Sequence, residues 1–167
     1  MIDHIAYFAY GSNMAIERLR SRISSAQKIC NATLVGHVLK FHKVSKDGSG
    51  KCDAAYTGNS PDKVIGVLYS IKKEELEELD KYEGCGYGYE RKCVIISPTS
   101  GEQHKAETYV ATRIDPNIRP FDWYKEHVLQ GATSNDLPID YIAMISTVTA
   151  DIDPDTDRRT RELAVYR

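Results

Sequence analysis

The chain has 167 residues, 41% hydrophobic and 28% charged, with a formal net charge of −2. This is the composition of a globular domain long enough to bury a core, and it excludes a disordered chain. A near-neutral charge without a basic block also argues against a general nucleic-acid binder, and no apolar run approaches a membrane span.

The N-terminal stretch "MIDHIAYFAY" has neither the basic start nor the apolar core of a signal peptide, so the expected location is cytoplasmic. Ile5–Tyr10 predicts a strand that runs through Gly11-Ser12-Asn13 into a helix over Met14–Arg22, with Ser12 or Asn13 as its N-cap. The turn has two readings. It is ordinary punctuation, or its unpaired N–H groups form a cradle for a carboxylate or a developing oxyanion. No lysine follows the glycine turn as in a P-loop, which speaks against a nucleoside triphosphate.

Further strands are expected over the Leu34–Val44 region, Cys52–Thr57, Val64–Ser70, Arg91–Ser97 and Glu107–Ala111. "KDGSGK" reads as a hairpin loop or a mobile excursion. Helices are expected at Lys72–Glu83, closed by Gly84, from near Pro120 to Gly131, and after Asp136-Leu137-Pro138. The segment 151–167 is charged and reads as a loosely ordered tail behind a domain spanning 1–150. Strands cluster centrally with helices inserted, which favours α+β over a doubly wound sheet.

Within "EELEELDKYEGCGYGYE", Leu76 and Leu79 mark the apolar face of the helix. At about 100° per residue Glu83 projects between them, whereas Glu75 and Glu78 fall outside. Burial and the helix C-terminus should both raise the pKa of an unpaired carboxylate there, toward a value useful for general acid/base work. The alternative is a frayed helix end with Glu83 turned outward or paired with an arginine such as Arg91. The following "GCGYGY" is a pocket wall or lid, or a plain helix-to-strand connection, with Tyr87 and Tyr89 as aromatic faces.

Cys30, Cys52, Cys85 and Cys93 are scattered without a CxxC pair and read as reduced side chains. With five dispersed histidines they give no metal-ligand spacing, so neither metal nor cofactor is expected. Ser12 lacks a partner to activate it as a nucleophile, and the histidines read as surface or structural residues. Tyr109 would need a hydroxyl partner if buried, and Trp123 is expected to anchor its helix.

"YFAYGSN" at Tyr7–Asn13, "VIGVLYSI" at Val64–Ile71, "LDKYEG" at Leu79–Gly84 and "YERKCV" at Tyr89–Val94 together resemble the γ-glutamylcyclotransferases. "AETYVA" and "YKEHVLQGATSNDLPIDYI" resemble that family's last strand and helical pair. The resemblance implies a single α+β domain with a small mixed β-barrel flanked by helices, and intramolecular aminolysis of a γ-glutamyl group to 5-oxoproline without a cofactor. It places Glu83 as the catalytic residue, Tyr7, Phe8, Ala9, Tyr10, Gly11 and Ser12 in the substrate cradle, and Tyr109 as a substrate contact. Asn13 gets no role beyond shaping the turn. The expected partner is a small γ-glutamyl molecule, with no nucleic acid and no membrane; a homodimer is left open. The leaving group stays open among amino acids, amines and a protecting-group intermediate, the glutathione-specific branch fitting less well. The competing readings are a non-catalytic module for small acidic metabolites or a partner protein, and an acyl transferase with another acceptor.

Overall fold

The computed structural model describes residues 3–99 and 101–167. The first strand, β1 (His4–Ala9), ends at a short 3-10 turn over Ser12–Met14, followed by helix α1 (Ile16–Arg22). Then come β2 (Gln27–Val35), β3 (His37–Val44), β4 (Gly50–Tyr56) and β5 (Lys63–Lys72). Helix α2 (Leu76–Glu83) leads into β6 (Tyr89–Pro98) and β7 (His104–Ala111). Helices α3 (Asp122–Ser134), α4 (Ile139–Ser146) and α5 (Thr156–Leu163) complete the chain. No helix among the described residues is long and apolar enough to cross a membrane.

Five strands close a mixed barrel in the order β1-β5-β2-β6-β7, with β1 and β7 parallel and the other neighbours antiparallel. β3 and β4 form a separate antiparallel hairpin. Apolar side chains fill the barrel, among them Phe8, Val64, Val67, Tyr69, Ile71 and Ile96. The expected α+β class, a single domain with a small mixed barrel and flanking helices, is the architecture observed.

The expected strand region Leu34–Val44 is two strands meeting at Gly36. The left-handed backbone of Gly36, φ 76°, turns the chain out of the barrel into the hairpin. The first third of β2, Gln27–Ile29, is exposed and mostly polar, so no alternation announced it. The N-cap expected at Ser12 or Asn13 is instead Ala15, and no side chain caps α1. Asn13 is engaged elsewhere, as described below. Gly84 closes α2 as expected, at φ 68°, with the N–H groups of Gly84 and Cys85 donating to the Lys81 and Asp80 carbonyls.

The charged segment 151–167 holds α5, whose N-terminus is capped by Asp155 accepting from the Arg158 N–H. Asp153 is buried and accepts from Trp123 Nε1 at 2.7 Å and from Arg158 Nε at 2.6 Å, tying this segment to α3. The Arg158 hydrogen bonds hold the Asp153 carboxyl well below the usual carboxylate range. Further along, Glu162 pairs with Arg18 at 2.5 Å beside the buried His127.

Arginine can only donate, so His127 Nε2 accepts from Arg18 Nη1 at 3.0 Å and its Nδ1–H donates to the Tyr166 hydroxyl at 2.6 Å. Burial lowers the His127 pKa to about 4. Burial alone would raise the Glu162 carboxyl, but the Arg18 guanidinium against it holds it at about 2. Both folded-state values lie below their ordinary values of 6.5 and 4.5, so the unfolded chain binds protons first. Stability is therefore full above pH 6.5 and lost stepwise as pH falls, through His127 toward 4 and through Glu162 toward 2. Thermal melting across this range should show that decline, and His127→Gln should flatten its upper limb.

Helix α3 crosses the 3-10 turn at Gly131, where an added Cβ would lie 2.5 Å from the Met14 Cβ and 2.6 Å from the Ala15 nitrogen. In an ordinary helix interior, glycine to alanine stabilises by up to about 1 kcal/mol. Here the sign should reverse. Gly131→Ala is expected to lower unfolding free energy by about 1–3 kcal/mol in denaturant titration, the cost of overpacking against backbone.

Candidate active site

The end of β1, the turn after it and the end of α2 converge on one cavity. Its wall includes Tyr7, Tyr10, Gly11, Ser12, Glu83 and Tyr109 from the expected set, and Asn13, Tyr89 and Tyr124 besides. Phe8 and Ala9 are not part of that wall. Their side chains lie in the core, because strand alternation sends Phe8 to the opposite side from Tyr7 and packing covers Ala9.

Glu83 points inward from the last turn of α2, its side chain only 14% exposed. It is not unpaired. Its Oε1 accepts from Asn13 Nδ2 at 2.8 Å and from Arg22 Nη1 at 2.9 Å. Arg91, the partner considered from sequence, instead pairs with Asp80 at 2.6 Å. Both bonds to Glu83 fall on Oε1, and among the described residues no protein group hydrogen-bonds Oε2. Glu83 itself lines the cavity.

Asn13 is the hinge of the arrangement. Besides Glu83, its Nδ2 donates to the Tyr7 hydroxyl at 3.0 Å, and its Oδ1 accepts from Arg22 at 3.2 Å. Tyr7 therefore accepts at its oxygen and keeps its own hydroxyl proton for another acceptor. Burial and the nearby Glu83 charge raise the Tyr7 pKa, so that proton stays on at neutral pH. Tyr109 differs: its hydroxyl donates to Asp80 Oδ1 at 2.7 Å, and its ring meets Tyr7 edge-on at 6.0 Å. Burial, with the Asp80 hydrogen bond, raises its pKa too. Its contribution to the cavity is a ring face held in place from behind.

The turn itself is fixed from below. The Met14 carbonyl accepts from the Tyr69 hydroxyl at 2.7 Å and from Asn135 Nδ2 at 2.9 Å. At Gly11 an added Cβ would lie 3.0 Å from the Cys52 Cβ and 3.2 Å from the Tyr124 hydroxyl, so glycine lets the turn sit against the cavity floor without pushing those neighbours back. The first N–H groups of a 3-10 turn have no partner within it, and no side chain caps this one. Burial pushes the neighbouring Cys52 thiol up to about 12, which keeps it a neutral wall group. Among the described residues no cluster of three His, Cys, Asp or Glu side chains is placed to hold a metal ion.

The AIG2-like family matches residues 63–145. A human (Homo sapiens) γ-glutamylcyclotransferase is 33% identical over 147 residues, spanning 83% of this chain and 76% of that protein. The chain belongs to the γ-glutamylcyclotransferase family. It is accordingly a cyclotransferase-type enzyme. AIG2-like protein D of Arabidopsis thaliana is 32% identical over 129 residues, covering 74% of this chain and 81% of its own. A solved γ-glutamyl cyclotransferase structure superposes with a TM-score of 0.82 at 26% identity, over 95% of this chain and 99% of that one.

Of this family member's cavity, sequence reasoning missed Asn13 and Arg22. The available signal was the pair Arg18 and Arg22, one turn apart beside Leu19 on a face that is otherwise apolar. Asn13→Ala removes one donor shared by Tyr7 and Glu83. It should cost about 1–3 kcal/mol in unfolding free energy, the range for leaving buried polar groups unsatisfied. Chemical denaturation of the two proteins checks this.

Proposed function

We propose that the chain cyclises γ-glutamyl donors, releasing 5-oxoproline and a free amine or amino acid, and that it does so in the cytoplasm without a cofactor. The observation that carries this reading is the Glu83 carboxylate in the wall of the cavity under the Tyr7–Asn13 turn, fixed through Oε1 by Asn13 and Arg22 and with no protein partner on Oε2 among the described residues.

In a γ-glutamyl compound the α-amine reaches its own γ-carbonyl in a five-membered ring, but at neutral pH it is protonated. Glu83 Oε2 takes that proton, and the amine lone pair attacks the γ-carbon. The carbonyl electrons move onto oxygen to give a tetrahedral intermediate. As they return, the bond to the leaving nitrogen breaks and the proton held by Glu83 passes to that nitrogen. The ring nitrogen, left with two hydrogens and a positive charge, gives one up through Glu83 to the departing amine, which leaves as an ammonium. One carboxyl thus serves as base and then acid. The Arg22 and Asn13 contacts hold the carboxylate in one orientation through this cycle.

The free proton of the Tyr7 hydroxyl and the uncapped N–H groups at Gly11–Asn13 are donors suited to the developing oxyanion or the substrate α-carboxylate. The aromatic wall of Tyr7, Tyr89 and Tyr109 holds the methylene chain folded, which supplies proximity. A non-catalytic module for acidic metabolites fits less well, since binding alone gives no use to an inward carboxylate braced by Asn13 and Arg22.

Release of 5-oxoproline from a panel of γ-glutamyl amino acids and γ-glutamyl amines tests this. Glu83→Gln keeps an acceptor for Asn13 and Arg22 but cannot carry the proton. It should lose about 10²-fold or more in kcat, the range for general acid/base removal, with melting unchanged within a few degrees. Activity retained within about tenfold would refute the role of Glu83.

A further inference from the structure

Glu83 also forms the rim of a second, wider cavity of about 270 Å³, outside the first. Its other walls come from the end of β3, the end of α2, the "GCGYGY" loop and the segment after β7. Four cations line it: Lys43, Lys46, Lys81 and Arg113. Lys81 pairs with Glu78 at 3.1 Å. Lys43 is different in kind.

Lys43 is 8% exposed, and among the described residues its ammonium has neither a hydrogen-bond nor an ion-pair partner. It rests over the Tyr89 ring at 4.5 Å from the centroid. The carboxylates whose charge it feels are Glu83 and Asp47, and each already has its own cation, Arg22 at 2.9 Å and Lys51 at 2.8 Å. Burial lowers the Lys43 pKa, and the Glu83 charge opposes that shift.

The loop is shaped around this side chain. A Cβ on Gly88 would lie 2.6 Å from Lys43 Cε and 3.0 Å from its Nζ, so the glycine leaves room for the lysine end in its present position, and a side chain at 88 would displace it. The glycine run that matches no phosphate-binding motif thus has a steric use at Gly88. The stem of Lys43 is packed away while its ammonium, which has no anion of its own among the described residues, lies in the cavity wall where an arriving anion can meet it. The cavity it faces adjoins the carboxylate that hands a proton to the leaving nitrogen.

We propose that this outer cavity is the leaving-group subsite, and that Lys43 selects γ-glutamyl donors whose leaving amine carries a carboxylate, as a released amino acid does, over donors that release a neutral or cationic amine. The assignment rests on the cyclisation reading given above. Arg113 and Lys46, the latter 5.2 Å from the Tyr87 ring centroid, add positive potential at the mouth.

The experiment compares kcat/KM for γ-glutamylalanine, γ-glutamylalaninamide and a γ-glutamyl diamine, in the native protein, Lys43→Met and Lys43→Glu, with melting curves to establish folding. The native protein should prefer the acid over the amide by about tenfold or more, as one charge-assisted hydrogen bond commands. In Lys43→Met that ratio should fall to within about threefold, and in Lys43→Glu the diamine should become the better donor. A native ratio near unity, or a ratio unchanged in folded Lys43→Met, overturns the assignment. If no donor is cyclised, the reaction reading has failed, and calorimetric binding of the acid and the amide still decides on Lys43. A preference for the acid that Lys43→Met abolishes supports the subsite, and equal binding of both ligands overturns it.

Discussion

The site depends on one buried junction, the hydrogen bonds by which Asn13 and Arg22 hold Oε1 of Glu83. A carboxylate at the end of a helix faces the negative end of the macrodipole and loses water on burial, so it needs compensation. Arg22 supplies charge and Asn13 supplies direction. The same Asn13 amide reaches Tyr7, so one side chain sets the relative position of Glu83 and an aromatic wall. Because both donors converge on a single oxygen, the other is free for chemistry.

The fold exists around this junction in a specific sense. β1 delivers the turn from the barrel, and β5 and α3 brace it through the Tyr69 and Asn135 contacts to the Met14 carbonyl. Gly131 lets α3 come to van der Waals distance of that turn. Behind Tyr109, Asp80 accepts the tyrosine hydroxyl and pairs with Arg91, which fixes the ring's orientation. The C-terminal helix adds a further brace through Arg18, whose helix α1 also carries Arg22.

Much of this was legible in the sequence where the signal is local. The strand-turn-helix at Tyr7–Asn13, the inward projection of Glu83 and the left-handed cap at Gly84 each follow from spacing within a few residues. What was not legible depends on partners far along the chain. Glu83 finds Asn13 across 70 positions and Arg22 across 61, and periodicity within α2 carries no information about either. The same long-range demand overrode the capping preference of Asn13, leaving Ala15 to begin α1. Polar, exposed Gln27–Ile29 gave no strand pattern because pairing in the barrel, and not burial, makes it a strand. The charge-rich end of the chain looked like a tail, since its one buried carboxylate, Asp153, is hidden among acidic neighbours.

The central claim is that a γ-glutamyl group sits under the Tyr7–Asn13 turn with its α-amine against Glu83 Oε2. The most direct test is a crystal structure of the Glu83→Gln protein with γ-glutamylalanine bound. The account predicts the α-amine within hydrogen-bond reach, about 3 Å, of the substituted side chain, with the γ-carbonyl oxygen turned toward Tyr7 or the turn's N–H groups. A γ-glutamyl group bound elsewhere, such as the cleft formed by Leu39, Phe41 and Ile118, would contradict it.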